Sequence, residues 1–431
     1  MPLPREIVEA YTAILKEELL VAMGCTEPIA IAYAAAILRE TLGAEPERIQ
    51  ARLSGNIIKN VKSVIVPATG GLHGIEAAIA AGIIAACPEK QLEVLTVLKP
   101  QDRYSIAAFL TRCGFTVDEM ESPLTFDLEL TGWAGNARSS VRIAGNHTNV
   151  VSVKRDGDDL TRVYSCSSEA VHTKTTDRSV LNVQDILTFA SETPLDELQT
   201  LLERQAQMNM AIAEEGLKGN YGACIGKVLY RDGEANLRDQ ARAYAAAGSD
   251  ARMSGCEMPV GIISGSGNQG ITASVPVVVY AQALGKSHEE MLRALLLSDL
   301  ITIHQKTGIG CLSAYCGAIS AGCGCGAGIC YLLGGDYRAI AHTLVNAVAI
   351  LSGTICDGAK PSCAAKIAMA VEAGIMGYEM TKAGYQFYGG DGIVTKGVEN
   401  TIRNIGRLAR DGMSETDKEI IRIMLEKTDC Q

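Results

Sequence analysis

TFDLELTG (Thr125–Gly132) and SSVRIAG (Ser139–Gly145) decide the reading of the fold. Apolar and polar residues alternate in both, the period-two pattern of a strand with one buried face. NVVSVKRDGDDLTRVYS (residues 149–165) continues the pattern, with Arg-Asp-Gly-Asp as its turn. Upstream, QLEVLTVLK (91–99) alternates like a further strand, and DRYSIAAFLTRCG (102–114) has helical spacing. Together they predict a small α+β unit.

Outside that unit the texture is helical. Residues 5–40 read as helix interrupted at GCTEP, where Gly24 ends one helix and Thr26, Glu27 and Pro28 suit the start of the next. RIQARLSGN (48–56) reads as a strand running into a glycine turn, and GGLHGIEAAIAAGIIAA (70–86) as a glycine-led helix. Beyond Val183 the helical pattern continues to the end, punctuated by glycine turns. The expectation is an α+β fold: a large, mainly helical catalytic body joined to a smaller α+β domain. Residues 1–90 form the first part of the body, 91–178 the small domain, and 179–431 the helical domain.

The 39 basic and 49 acidic residues leave a net charge of −10, with no Lys/Arg-rich run, which argues against a nucleic-acid surface. The opening MPLPREIVEAYTAILKEELL has no apolar core behind basic residues and no small-residue cleavage site. A cytoplasmic location is therefore expected, and the 14 cysteines are expected as thiols or metal ligands rather than disulfides. Between Lys306 and Asp336 no residue is charged. The segment is rich in Gly, Ala, Ser and Cys and lacks an aromatic belt, so it reads as a buried helix pair and not a membrane span.

GSGNQG (Gly265–Gly270) matches the G-x-G-x-x-G pattern, yet no second strand with an acidic residue follows at the distance dinucleotide binding requires. An anion nest fits better: Ser264, Ser266, Asn268 and glycine amides ahead of a helix suit a carboxylate. SGNIIKNVKSVIVPATGGLHG (54–74) offers a second polar loop, with Ser54, Asn56, Lys59, Thr69 and His73 as its candidate groups. Tight turns between packed helices are the competing reading of each loop. Two such loops favour a small polar substrate.

Six residues separate Cys356 from Cys363 in ICDGAKPSCAAK (355–366), and Cys311 lies 44 intervening residues upstream. The spacing suits a loop wrapping a metal or cluster, with one ligand from another element; paired C-x2-C spacings for a zinc ribbon are missing. Buried structural thiols remain the alternative. Cys316, Cys323, Cys325 and Cys330 read as packing residues among Gly and Ala. Cys25 immediately precedes a helix start, where free amides favour a thiolate.

MGCTEPIAIAYAAA, SGNIIKNVKSVIVPATGGLHGIEAAIAAG, SGSGNQGITASVPVVVYA, KTGIGCLSAYCGA and ICDGAKPSCAAKIAMA together resemble the L-cysteine desulfidase family, akin to the serine dehydratase alpha chain. The resemblance runs in order from about residue 20 to 370. It implies an oxygen-sensitive [4Fe–4S] lyase, independent of pyridoxal phosphate, that converts L-cysteine to pyruvate, ammonia and sulfide. It further implies that Cys311, Cys356 and Cys363 ligate three irons, that Cys25 is a catalytic base, and that the polar loops hold the substrate. His73 is the most site-like histidine of those loops. A related resemblance to the iron–sulfur L-serine dehydratases keeps L-serine open as substrate and gives Cys430 a capping role.

A non-catalytic iron–sulfur sensing protein would share the cysteines without needing carboxylate-holding loops. A pyridoxal-phosphate lyase would need a Schiff-base lysine, and no lysine stands out. The expected partner is a small amino acid, with no membrane or nucleic acid, and Gly/Ala-rich helix faces suggest a homo-oligomer, a dimer.

Overall fold

The computed structural model describes residues 2–164, 176–231, 235–310 and 313–425. Within them a large helical body carries a smaller sheet unit, the α+β arrangement expected from the sequence. The sheet has six strands in the order Gly114–Glu119, Arg48–Leu53, Asp127–Ala134, Ala137–Ala144, Val150–Arg155, Asp158–Asp159. Only the first pair is parallel, with Arg48 opposite Gly114; on its other side Arg48 pairs antiparallel with Trp133. The second strand is thus drawn from before residue 91, where the small unit was expected to begin.

The Thr26–Leu42 helix explains how sheet and body join. Nearly every one of its residues is buried, because it packs on the Asp127–Ala134 and Ala137–Ala144 strands and on the Ile75–Ala85 helix of the body. A helix apolar all round is one with neighbours all round. Two segments differ from the sequence reading. Leu20–Met23, expected as helix, is a strand pairing antiparallel with Pro259–Ile262, Leu20 opposite Ile262. QLEVLTVLK, expected as a strand, lies in the Pro88–Val97 3-10 helix up to its last two residues. Leu92 and Leu95 recur there at the three-residue period of that helix and are buried, a spacing the alternating pattern concealed.

The uncharged segment forms the Gly317–Leu332 helix, clamped between His288–Ile309 and Cys363–Lys382. Its small residues have a direct cause. A Cβ at Gly326 would lie 2.7 Å from Gly374 Cα, so these helices touch backbone to backbone. Among the described residues no helix is long and apolar enough to cross a membrane. Pro259–Ile262 sits in a two-stranded antiparallel pair, not in the parallel sheet that the dinucleotide reading of GSGNQG requires.

Candidate active-site cleft

A cleft of about 100 Å³ lies where these elements meet. One wall begins at the Thr26–Leu42 helix, for which Cys25 is the N-cap, with extended backbone. Thr26 Oγ1 donates to Gly265 O at 2.6 Å and ties this helix start to the glycine turn. Glu27 is buried in the first turn, where it accepts from Cys25 Sγ at 3.1 Å and from Asn60 Nδ2 at 3.0 Å.

Those contacts set the charges. Burial, and then the Glu27 charge, push the Cys25 thiol well above its ordinary range. The thiolate expected at a helix start is therefore replaced by a neutral thiol donating to a carboxylate; the nearby anion and desolvation outweigh the helix amides. Burial works against the charged Glu27 carboxyl, but His147, the Cys25 donor and Arg252 outweigh it and hold it below its usual value. His147 reaches the cleft from the sheet unit, its ring centroid 4.6 Å from that of Phe126. Burial lowers its pKa against the pull of the Glu27 charge, and its Nε2 is shielded from solvent with no partner among the described residues.

The glycine turn supplies the second wall. Ser264 (φ +48°) and Gly265 (φ +74°) are both left-handed, which turns the chain sharply out of the Pro259–Ile262 strand and into the Gly267–Ala283 helix. Ser266 caps that helix, its hydroxyl accepting from Gln269 N. Asn268 Oδ1 accepts from Arg252 Nη1 at 3.1 Å.

Thiols form the third wall. Cys356 N donates to Ala314 O at 2.6 Å, and Cys316 N to Thr354 O at 3.0 Å, lacing the 313–316 segment to the ICDGAKPSC loop. Cys363 opens the Cys363–Lys382 helix, and Cys316, Cys356 and Cys363 all face the cleft. Burial, with Cys356 alongside, pushes the Cys316 thiol up to about 12. Lys366 and Lys360 both pair with Asp357, the former at 2.6 Å. Burial opposes its ionisation, but these two lysines hold the Asp357 carboxyl at about 2.

Residues 89–422 match the serine dehydratase alpha chain family. The chain belongs to that family. The chain is also similar along nearly its whole length to the UPF0597 proteins of Desulfitobacterium hafniense, Treponema denticola and Finegoldia magna. The first is 54% identical over 97% of this chain and 97% of its own length. The second is 44% identical over 99% and 100%, and the third 45% over 97% and 99%.

Of the residues singled out from sequence, this member of the serine dehydratase alpha chain family brings Cys25, Ser264, Ser266, Asn268, Cys356 and Cys363 together in the cleft. Cys311 and Cys430 lie outside the described residues. The other loop is placed differently. Ser54 Oγ donates to Thr125 O at 2.8 Å, Asn56 is buried, and His73 is exposed beside a bridge to Ile65. Lys59 is buried and pairs with Asp417 of the Ser414–Leu425 helix at 2.5 Å, behind the ICDGAKPSC loop and beside a second cavity of about 290 Å³. Sequence reasoning did not assign Glu27, Asn60, His147, Arg252, Gln269 and Cys316 to the site. Glu27 and Asn60 lie within quoted motifs and were within reach; His147 and Arg252 have no local signature.

Among the described residues no three His, Cys, Asp or Glu side chains are gathered as a metal site. The donor chemistry at the third wall nevertheless suits an iron–sulfur group: two soft thiols, Cys356 and Cys363, face one cavity with lysines beside them.

Proposed function

We propose that this protein is a [4Fe–4S]-dependent, pyridoxal-phosphate-independent β-elimination lyase that converts L-cysteine and water to pyruvate, ammonia and hydrogen sulfide. The observation that carries the reading is convergence. Cys25, the Ser264–Asn268 turn and the Cys356/Cys363 pair, far apart in sequence, line one small cleft in a member of the serine dehydratase alpha chain family. Cys356 and Cys363, with Cys311, would hold the cluster, which supplies a Lewis acid for the departing sulfur.

The chain's own residues do the rest. The Ser264–Asn268 turn places the start of the Gly267–Ala283 helix at the cleft, where a carboxylate is favoured. Cys25 Sγ is the base at Cα. Its proton is held on by burial and the Glu27 charge; an arriving substrate ammonium offsets that charge, so the thiol gives up its proton to solvent before the Cα proton is taken. Loss of the Cα proton and the β-sulfur leaves 2-aminoacrylate, which tautomerises to the imine and hydrolyses.

The test is anaerobic purification, iron and acid-labile sulfide determination, and assay of pyruvate and sulfide with L-cysteine, with L-serine in parallel. About four irons and four sulfides per chain with sulfide release support the reading. Turnover of L-serine alone makes the protein an L-serine dehydratase. No cluster after anaerobic reconstitution sinks the mechanism.

A further inference from the structure

Two opposite charges face the cleft without pairing to each other. Glu27 is 8% exposed and Arg252 3%. Each senses the other's charge, but Glu27 is held by Cys25 and Asn60, and Arg252 by Asn268. Arg252 Nε, out of reach of solvent, has no partner among the described residues. A Cβ at Gly267 would come within 2.4 Å of Arg252 Nε, so glycine there leaves room for the guanidinium. Around them Asn60 Oδ1, Gln269 Oε1 and His147 Nε2 are also buried and unpartnered among the described residues. The other cations of the cleft are engaged: Lys366 by Asp357, and Lys306 by a partner within the fold.

Buried charges and polar groups persist when something completes them. A small molecule with a cation at one end and an anion at the other would satisfy both residues at once. A carboxylate has about four lone-pair sites, so Glu27 can accept from an ammonium while keeping Cys25 and Asn60. A guanidinium with unused donors suits a carboxylate.

We propose that Glu27 and Arg252 form a clamp for a zwitterion, Glu27 taking the α-ammonium and Arg252, oriented by Asn268, the α-carboxylate. The ligand class is therefore a free α-amino acid with a short side chain; amines, simple carboxylates and esters are excluded. The assignment rests on the lyase reading for its chemistry, but its binding test does not.

The test is calorimetry on the cluster-free protein with L-alanine, which lacks a leaving group, and with ethylamine and propionate, which carry one charge each. L-Alanine binds, and the two half-ligands bind at least about 100-fold more weakly. Arg252→Met weakens L-alanine at least about 30-fold and leaves ethylamine unchanged. Glu27→Gln weakens L-alanine at least about tenfold and leaves propionate unchanged. Arg252→Lys, which keeps the charge, restores most of the L-alanine affinity and serves if Arg252→Met does not fold. Equal weakening of all three ligands by Arg252→Met, or no L-alanine binding to the wild type, overturns the clamp. Charge-selective binding without turnover of L-cysteine or L-serine by the reconstituted protein leaves the clamp standing and defeats the lyase. Turnover of L-cysteine with kcat/KM unchanged in Arg252→Met does the reverse.

Discussion

Gly358 rests directly on Lys59: a Cβ at Gly358 would lie 2.3 Å from the Lys59 carbonyl oxygen. The loop between Cys356 and Cys363 is thus seated on the Gly55–Val61 helix, whose next residue, Asn60, holds Glu27 on the far side of the cleft. One short helix sets the distance between the thiol wall and the Cys25 wall. Gly358 is also left-handed at φ +92°. Gly358→Ala is expected to cost about 1 to 3 kcal/mol from backbone conformation alone, and more from the clash. Denaturant unfolding measures it, and alkylation rates of Cys356 and Cys363 report whether the loop has moved.

Lys59 holds that platform from behind. Its ammonium is buried and pairs with Asp417 on the Ser414–Leu425 helix. Lys59→Met leaves Asp417 without its cation and is expected to destabilise the protein by about 3 kcal/mol. Amide exchange across residues 414–425 should accelerate more than exchange in the Gly317–Leu332 helix; equal acceleration in both would refute a local clasp.

Cys25 should respond to its neighbour's charge. Because Glu27 raises the thiol pKa both through its charge and by accepting the hydrogen bond, Glu27→Gln lowers it. Alkylation of Cys25 at pH 8 should quicken, because a larger fraction of the thiol is then ionised. An unchanged pH–rate curve for Cys25 would show that the carboxylate is not what keeps the thiol neutral.

Asp299 predicts a pH dependence away from the cleft. It is fully buried, accepts from Gln205 Nε2 at 3.1 Å, and its Oδ2 has no partner among the described residues. Burial outweighs that hydrogen bond and raises its carboxyl to about 8, against 3.8 ordinarily. Between about pH 4 and pH 8 the folded chain therefore holds a proton that the unfolded chain has lost, and stability falls as pH rises across that window. Asp299→Asn should remove this slope and add about 1 to 3 kcal/mol at pH 8, with little effect at pH 4. Chemical denaturation of both proteins across the window decides it.

The sequence made legible what depends on local pattern. Alternation in TFDLELTG and SSVRIAG located the sheet, and the uncharged Gly/Ala/Cys segment located a helix buried on several sides. GCTEP, the SGSGN turn and ICDGAKPSC marked three walls that do converge. Local pattern failed where a partner distant in sequence decides the outcome. Leu20–Met23 has the composition of a helix and becomes a strand because Pro259–Ile262 offers it a ladder. His147 and Arg252 gain their meaning from Glu27, more than 100 residues from either, and Lys59, polar and in a promising loop, is turned to Asp417 instead. The Cys25 thiolate was inferred from helix amides alone; the carboxylate two residues on reverses the sign.

The pairing of Leu20–Met23 with Pro259–Ile262 also fixes an order of events during synthesis. At roughly 5–20 residues per second, the first strand waits on the order of 10 to 50 s before its partner leaves the ribosome. Throughout that interval the nascent N-terminal segment exposes an unpaired strand edge, followed by a helix whose apolar faces are only partly covered. The cleft walls that follow each strand cannot meet until both strands have emerged, so the segment around Cys25 stays uncovered through that interval.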